Sequence, residues 1–156
     1  YLEETLPADE GKLVGELAVE WTRLFRGLRP GYGPKPPYGY LHQKVRQSEL
    51  EYLRKISGIY ARFGAEIEPS QSNRPDYLGL QLAFISLLYQ KASAAYRQGN
   101  EPLAIELENA AAEFFQQEVA SWALSFCAEA QAQAKTGFYH AYLEILQGQI
   151  LEMNAG

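Results

Sequence analysis

The residues that most often carry out catalysis are few and far apart in this sequence. Its one cysteine, Cys127, lies in an apolar segment, and the two histidines, His42 and His140, lie in different parts of the chain. A nucleophilic site needs a thiol or hydroxyl beside a base, and a metal site needs several ligands. We therefore expect Cys127 to be a packed core thiol and both histidines to be structural or surface residues.

One group of charged residues gives limited support to an enzyme. Glu66, Glu68 and Asp76 lie near Arg74, and carboxylates beside a cation suit nucleotide hydrolysis. No phosphate-binding loop accompanies them, because the glycines of residues 31–39 lie among prolines rather than between a strand and a helix. A nucleotide-hydrolysing enzyme is therefore an alternative hypothesis.

The charge distribution disfavours nucleic acid as a partner. The net charge of −5 comes entirely from residues 73–156, where four Lys/Arg face nine Asp/Glu, while residues 1–72 are balanced. Binding to nucleic acid requires clustered basic side chains that displace counterions. The excess acidic residues of this half either keep the protein soluble or attract a basic partner.

Length and composition predict one soluble domain over residues 1–156. The chain is 47% hydrophobic and 21% charged, which is typical of globular proteins. It begins at Tyr1 with an acidic stretch rather than a secretory signal, and its longest apolar segment, 77–89, is too short to cross a bilayer. We expect a cytoplasmic protein that is not inserted in the membrane and whose N-terminal part is missing.

Hydrophobic periodicity predicts an all-α bundle of about six helices. Apolar residues recur at steps of three and four, with no sustained strand alternation. The predicted helices cover residues 8–27, 48–64, 76–99, 100–134 with a bend near Gln116, and 136 to the C-terminal region.

The first predicted helix is expected to bury Leu13, Leu17, Trp21, Leu24 and Leu28, with Val14, Ala18 and Phe25 beside them. The third, apolar nearly all round, is expected to be central and buried. The last is expected to have its apolar side at Phe138, Tyr142, Ile145, Leu146 and Ile150.

Several polar residues are predicted to cap these helices. Ser48 with Glu51 fits a capping box, and Asp76, Asn100 and Thr136 each stand where a helix is expected to begin.

Two segments are predicted to interrupt the helices. The glycine- and proline-rich stretch 27–39 cannot be helical, because proline lacks the amide donor and clashes with the preceding turn. The polar stretch 68–75 is a hinge candidate. If it straightens, the helices from Asp76 onward could pack on a second copy, so either a monomer or a domain-swapped dimer is possible.

Three segments in order carry a family resemblance. They are VEWTRLFRG (19–27) with the loop ending PPYGY (36–40), RPDYLGLQLAFISLL (74–88), and FFQQEVASWALSFCAEAQAQAKTGFYHAYLEIL (114–146). Together they resemble the TorD/DmsD family of cytoplasmic chaperones for molybdoenzymes. This resemblance implies a chaperone that uses no cofactor and binds the twin-arginine leader of a molybdenum-containing reductase precursor. Relatives similar to NarJ instead escort an enzyme without a cleaved signal. A helical module for an unrelated protein partner is a further alternative.

The resemblance also implies a leader-binding site. Its residues are Pro37, Tyr38, Tyr40, Pro75, Asp76, Tyr77 and Gln81. Asp76 pairs with an arginine, caps its helix, or does both. Tyr77 stacks on an arginine or fills the core, and Tyr38 and Tyr40 bind the leader or anchor their loop. Many members have histidine where Tyr77 stands and glutamate where Gln81 stands.

Overall fold

The all-α prediction is confirmed by a computed structural model that describes residues 10–27, 31–43, 47–67 and 74–155. These ranges contain helices and loops but no strand. The helices are α1 (Glu10–Phe25), α2 (Gly39–His42), α3 (Glu49–Arg62), α4 (Leu78–Arg97), α5 (Glu101–Phe114), a π-helical turn (Phe115–Val119), α6 (Ala120–Gln133) and α7 (Gly137–Ala155). None of them is both long and apolar enough to cross a membrane.

The chain divides into two compact units. Pro37–Ala123 forms the first unit, with α2 to α5 and the π turn. The described residues of Tyr1–Pro36 and Leu124–Gly156 form the second, with α1 and α7, and the division falls within α6. The expectation of one domain over residues 1–156 stays a prediction.

Local capping signals set the ends of several helices in the first unit. The predicted capping box is confirmed, because the Ser48 side chain accepts from the Glu51 amide and the Glu51 side chain accepts from the Ser48 amide. Asn100 caps α5 by accepting from the amide of Leu103. Gly64 and Gly99 follow α3 and α4 with positive φ angles of 67° and 73°, which glycine adopts without strain.

Helix α4 packs against α5, and it buries one face rather than all of its surface. Leu88 and Ala92 are fully or almost fully buried, whereas Tyr89 and Tyr96 are both 44% exposed. The expectation that this helix is buried therefore holds for one of its faces and not for the face that carries Tyr89 and Tyr96. A helix packed on one side can leave aromatic residues on its outer side, which composition alone does not reveal.

The predicted bend near Gln116 coincides with a change of helix type. Residues Phe115–Val119 form one π-helical turn between α5 and α6. Such a turn inserts a residue into the helical register, and π turns occur frequently at functional sites.

The predicted loop 27–39 is non-helical over its described residues up to Tyr38, whereas Gly39 begins the four-residue helix α2. A Cβ at Gly33 would lie 2.1 Å from the Arg23 carbonyl oxygen, so only glycine allows this approach. Residues 28–30 and 68–73 lie outside the described residues. The second of these ranges covers most of the hinge candidate 68–75.

In the second unit, α1 contributes both apolar and charged residues to the buried interior. Leu24 and Phe25 are buried, and the Phe25 ring lies 5.8 Å from that of Tyr139. Glu20 and Arg23 are also buried, although no charged residue was expected there. Val14 and Trp21 are instead 65% and 37% exposed, so the predicted buried stripe of α1 was partly wrong.

Helix α7 begins as predicted but buries a different face. The Thr136 hydroxyl accepts from the Tyr139 amide at 3.4 Å, as expected for a cap. Tyr139, Leu143 and Ile150 are the buried residues of this helix. Phe138, Tyr142 and Ile145 are 58%, 49% and 68% exposed, so only Ile150 of the predicted apolar side is fully buried. Apolar residues lie on both faces of α7, and packing determines which of the two faces is buried.

Glu20 joins α1 to the start of α7. Its carboxylate accepts from the amides of Lys135 and Thr136, the latter at 3.0 Å, and pairs with Arg23 at 3.1 Å. Burial by itself raises the pKa of Glu20, but the hydrogen bonds from Thr136 and Lys135 and the charge of Arg23 outweigh it. The pKa therefore lies below its ordinary value of 4.5.

We expect Glu20→Gln to lower the free energy of unfolding at neutral pH by about 1–3 kcal/mol, because the hydrogen bonds to a buried charge weaken. A lowered carboxylate pKa stabilises the protein above the unfolded-state pKa, and this contribution is lost as pH falls through the folded-state pKa. Urea unfolding from pH 7 down to below 4.5 should therefore show the two proteins converging in acid. Glu16→Gln, at an exposed position of α1, is the control. Equal stability of Glu20→Gln and wild type at pH 7 would contradict this account.

Candidate functional site

The loop before α2 pairs with the chain entering α4. Tyr38 and Tyr77 form an antiparallel bridge, with the Gly39 amide donating to the Asp76 carbonyl at 2.8 Å and the Leu78 amide to the Pro37 carbonyl at 2.9 Å. The Tyr60 hydroxyl donates to the Pro75 carbonyl at 2.8 Å. These bonds bring together residues that are far apart in the sequence. Among them are the candidate site residues Pro37, Tyr38, Pro75, Asp76 and Tyr77.

Asp76 is the buried centre of this junction. Its side chain is fully buried, and its carboxylate accepts from the Tyr40 amide at 2.9 Å and from Nε and Nη2 of Arg74 at 3.0 and 2.9 Å. The prediction that Asp76 caps the following helix was wrong: the N-cap position is Tyr77, which makes no side-chain cap hydrogen bond. The Asp76 carboxylate instead accepts hydrogen bonds from the Tyr40 amide and from Arg74.

Arg74 is surrounded by groups that favour a guanidinium. Besides Asp76, it pairs with Glu49, and its guanidinium lies over the Tyr38 ring, 5.0 Å from the centroid. Partial burial tends to lower the pKa of Arg74, but the hydrogen bonds and charges of Asp76 and Glu49 outweigh it and raise the pKa above its ordinary value. The side chain is 30% exposed, so the arrangement lies at the surface. We name Asp76, Glu49 and Tyr38 the guanidinium cluster.

A second buried carboxylate lies on the π turn. Glu118 is 1% exposed, accepts from the Tyr52 hydroxyl at 3.1 Å and pairs with Lys55. Its carbonyl accepts from Nε2 of Gln43 and from Nε1 of Trp122, each at 2.7 Å. Burial, together with the Glu118 charge and hydrogen bond, raises the pKa of Tyr52, so the phenol stays protonated.

Gln81 is the remaining candidate residue, and its side chain is fully buried on α4. Among the described residues, neither its amide nitrogen nor its amide oxygen has a hydrogen-bond partner. Its Nε2 lies 3.6 Å from where a Cβ of Gly39 would be, which places Gln81 beside the paired loop. A buried amide without partners is uncommon and costs free energy.

The Asp76 carboxylate, considered above for nucleotide hydrolysis, is bonded to groups of the chain itself. Arg74 and Tyr40 take the Asp76 carboxylate, Glu66 is exposed, and Glu68 lies outside the described residues. Within the described ranges, no group of three His, Cys, Asp or Glu residues could hold a metal ion. As expected, Cys127 is a buried thiol, and burial raises its pKa to about 12.

Three residues of these arrangements were not predicted as site residues: Glu118, Tyr52 and Glu49. A signal for Glu118 was available, because it lies four residues after Phe114 and four before Trp122, within the apolar stripe of its helix. An acid at such a position must find partners in the interior. Glu49 and Tyr52 carry no comparable signal. The imidazole of His42 stacks on Trp122 at 4.8 Å, which is consistent with a structural role.

A protein-family model matches most of the chain. The family model described as nitrate reductase delta subunit matches residues 1–128. No curated protein and no solved structure matches the chain.

We expect Gly39→Ala to destabilise the first unit, because the added Cβ would lie 2.7 Å from the Tyr52 hydroxyl oxygen. Tyr52 is fully buried and bonded to Glu118, so the clash should cost about 1–3 kcal/mol in chemical denaturation. Gly58→Ala, within α3 and with open space around it, is the matched control and should stabilise by roughly 0.5–1 kcal/mol. If Gly39→Ala were as stable as wild type, the close contact would be wrong.

Proposed function

The chain belongs to the nitrate reductase delta subunit family, a family of molybdoenzyme maturation chaperones, and from this premise we propose that it binds the twin-arginine leader of a reductase precursor. It does so in the cytoplasm, before export, while the precursor receives its molybdenum cofactor. The chaperone contributes binding and timing, and it needs no cofactor of its own.

The observation that carries this proposal is the guanidinium cluster. Asp76 and Glu49 supply negative charge and Tyr38 supplies an aromatic face, all around one guanidinium. Arginine is bound most strongly by carboxylates that accept two parallel hydrogen bonds and by aromatic rings that stack on its plane. A leader with two consecutive arginines carries the matching chemistry.

The loop that presents Tyr38 is held in place before a leader arrives. Its backbone bonds to Asp76 and Leu78, and Pro37 is buried beside them. The Tyr38 and Tyr77 rings pack with centroids 5.7 Å apart. A loop already ordered loses less conformational entropy on binding, which favours affinity.

Exposed apolar side chains neighbour the cluster in sequence. Leu41 follows Tyr40 and is 38% exposed, and Leu50 follows Glu49 and is 57% exposed. A leader continues from its arginines into a moderately apolar stretch. We assign that stretch to the surface around these leucines.

We expect Tyr38→Leu to weaken leader binding by up to about fourfold. A cation–π contact of roughly 0.5–2 kcal/mol to the leader would be lost, but the same ring also contacts Arg74, so part of the loss cancels. Titration calorimetry with a panel of twin-arginine leaders from the same genome measures the change. Tyr89→Leu, which removes another tyrosine of the same unit, is the matched control and should bind like wild type. The absence of heat with every leader of the panel would refute the proposed function.

A further inference from the structure

Arg74 blocks direct access to Asp76. Its Nε and Nη2 bind different oxygens of the carboxylate, the Tyr40 amide adds a bond to one of them, and the Asp76 side chain has no exposed surface. A guanidinium from outside therefore cannot form a bidentate pair with Asp76 while Arg74 remains there.

We infer that Arg74 is an internal occupant of the guanidinium cluster and that an arginine of the partner binds by taking its place. This inference rests on the proposed function, and it adds how the site is regulated: the chaperone carries its own competitor. Arg74 is only two residues from Asp76, so the chain itself keeps this competitor at the site.

The exchange replaces each interaction by one of the same kind. The incoming guanidinium regains the two bonds to Asp76, the pairing with Glu49 and the Tyr38 ring. Arg74 is already 30% exposed, so it can move into solvent, where its charge is hydrated. Because the buried Asp76 is paired before and after the exchange, the large cost of an unpaired buried charge does not arise in either state.

Occupancy of the guanidinium cluster by Arg74 also determines which ligands the cluster binds. A ligand must compete with a bidentate arginine, and the apparent affinity falls in proportion to the fraction of molecules whose site is vacant. Lysine presents a compact point charge without the planar fork, so it competes poorly. The cluster should therefore select two-arginine leaders over their Lys–Lys counterparts.

The first test is calorimetry with a synthetic twin-arginine leader peptide and its Lys–Lys counterpart. We expect Arg74→Gln to bind the twin-arginine peptide at least about tenfold more tightly than wild type, as for a site that is about nine-tenths or more self-occupied. Arg74→Lys keeps the charge but loses the bidentate geometry. Its affinity for the twin-arginine peptide should fall between those of Arg74→Gln and wild type. Arg62→Gln, at an exposed arginine of α3, is the control and should leave affinity unchanged.

The second test does not depend on leader binding. We expect N-acetyl-arginine amide to raise the melting temperature of Arg74→Ala, because it fills the vacated cluster, and to leave wild type unchanged. The lysine analogue should have no effect on either protein. If Arg74→Ala does not fold, Arg74→Lys replaces it in the same measurement, with a smaller rise expected.

Weaker or unchanged twin-arginine binding by both Arg74 variants would overturn the inference, because Arg74 would then act as a donor or a scaffold. An equal effect of N-acetyl-arginine amide on the variant and on wild type would also overturn it. If no leader binds any of the proteins but the amide selectively stabilises the variant, the proposed function fails and the guanidinium site stands.

Discussion

The first unit depends on the hydrogen bonds of one buried carboxylate. An ionised Asp76 without partners would destabilise the fold by several kcal/mol, so the segments around it must supply donors. The amide of Tyr40 comes from the loop before α2 and the guanidinium of Arg74 from the chain before α4. Satisfying Asp76 therefore fixes the loop that carries Tyr38 against the start of α4.

Buried acids act in the same way at two other places. Glu118 joins the π turn to Tyr52 and Lys55 of α3, and in the other unit Glu20 joins α1 to the amides that precede α7. Each carboxylate contacts a segment distant in sequence and accepts bonds that only one arrangement of the chain provides. Interior carboxylates thus specify the register of helices whose apolar faces would tolerate several packings.

The features that the sequence could predict depend on interactions between residues that are close together in the chain. The Ser48–Glu51 capping box, the caps at Asn100 and Thr136 and the glycine at 99 depend on neighbours within a turn, and all four were predicted. The bond from the Tyr40 amide to Asp76 was not predicted, because it joins residues that are 36 positions apart. Likewise the buried face of α7 could not be identified, since apolar residues lie on both sides of that helix.

The neutral side chain of Gln81 has a consequence for the packing beside the paired loop. An amide without hydrogen bonds costs far less than an ion in the same place, so this position can stay unsatisfied. The loop at Gly39 therefore packs next to Gln81 without a counter-ion having to be buried beside it.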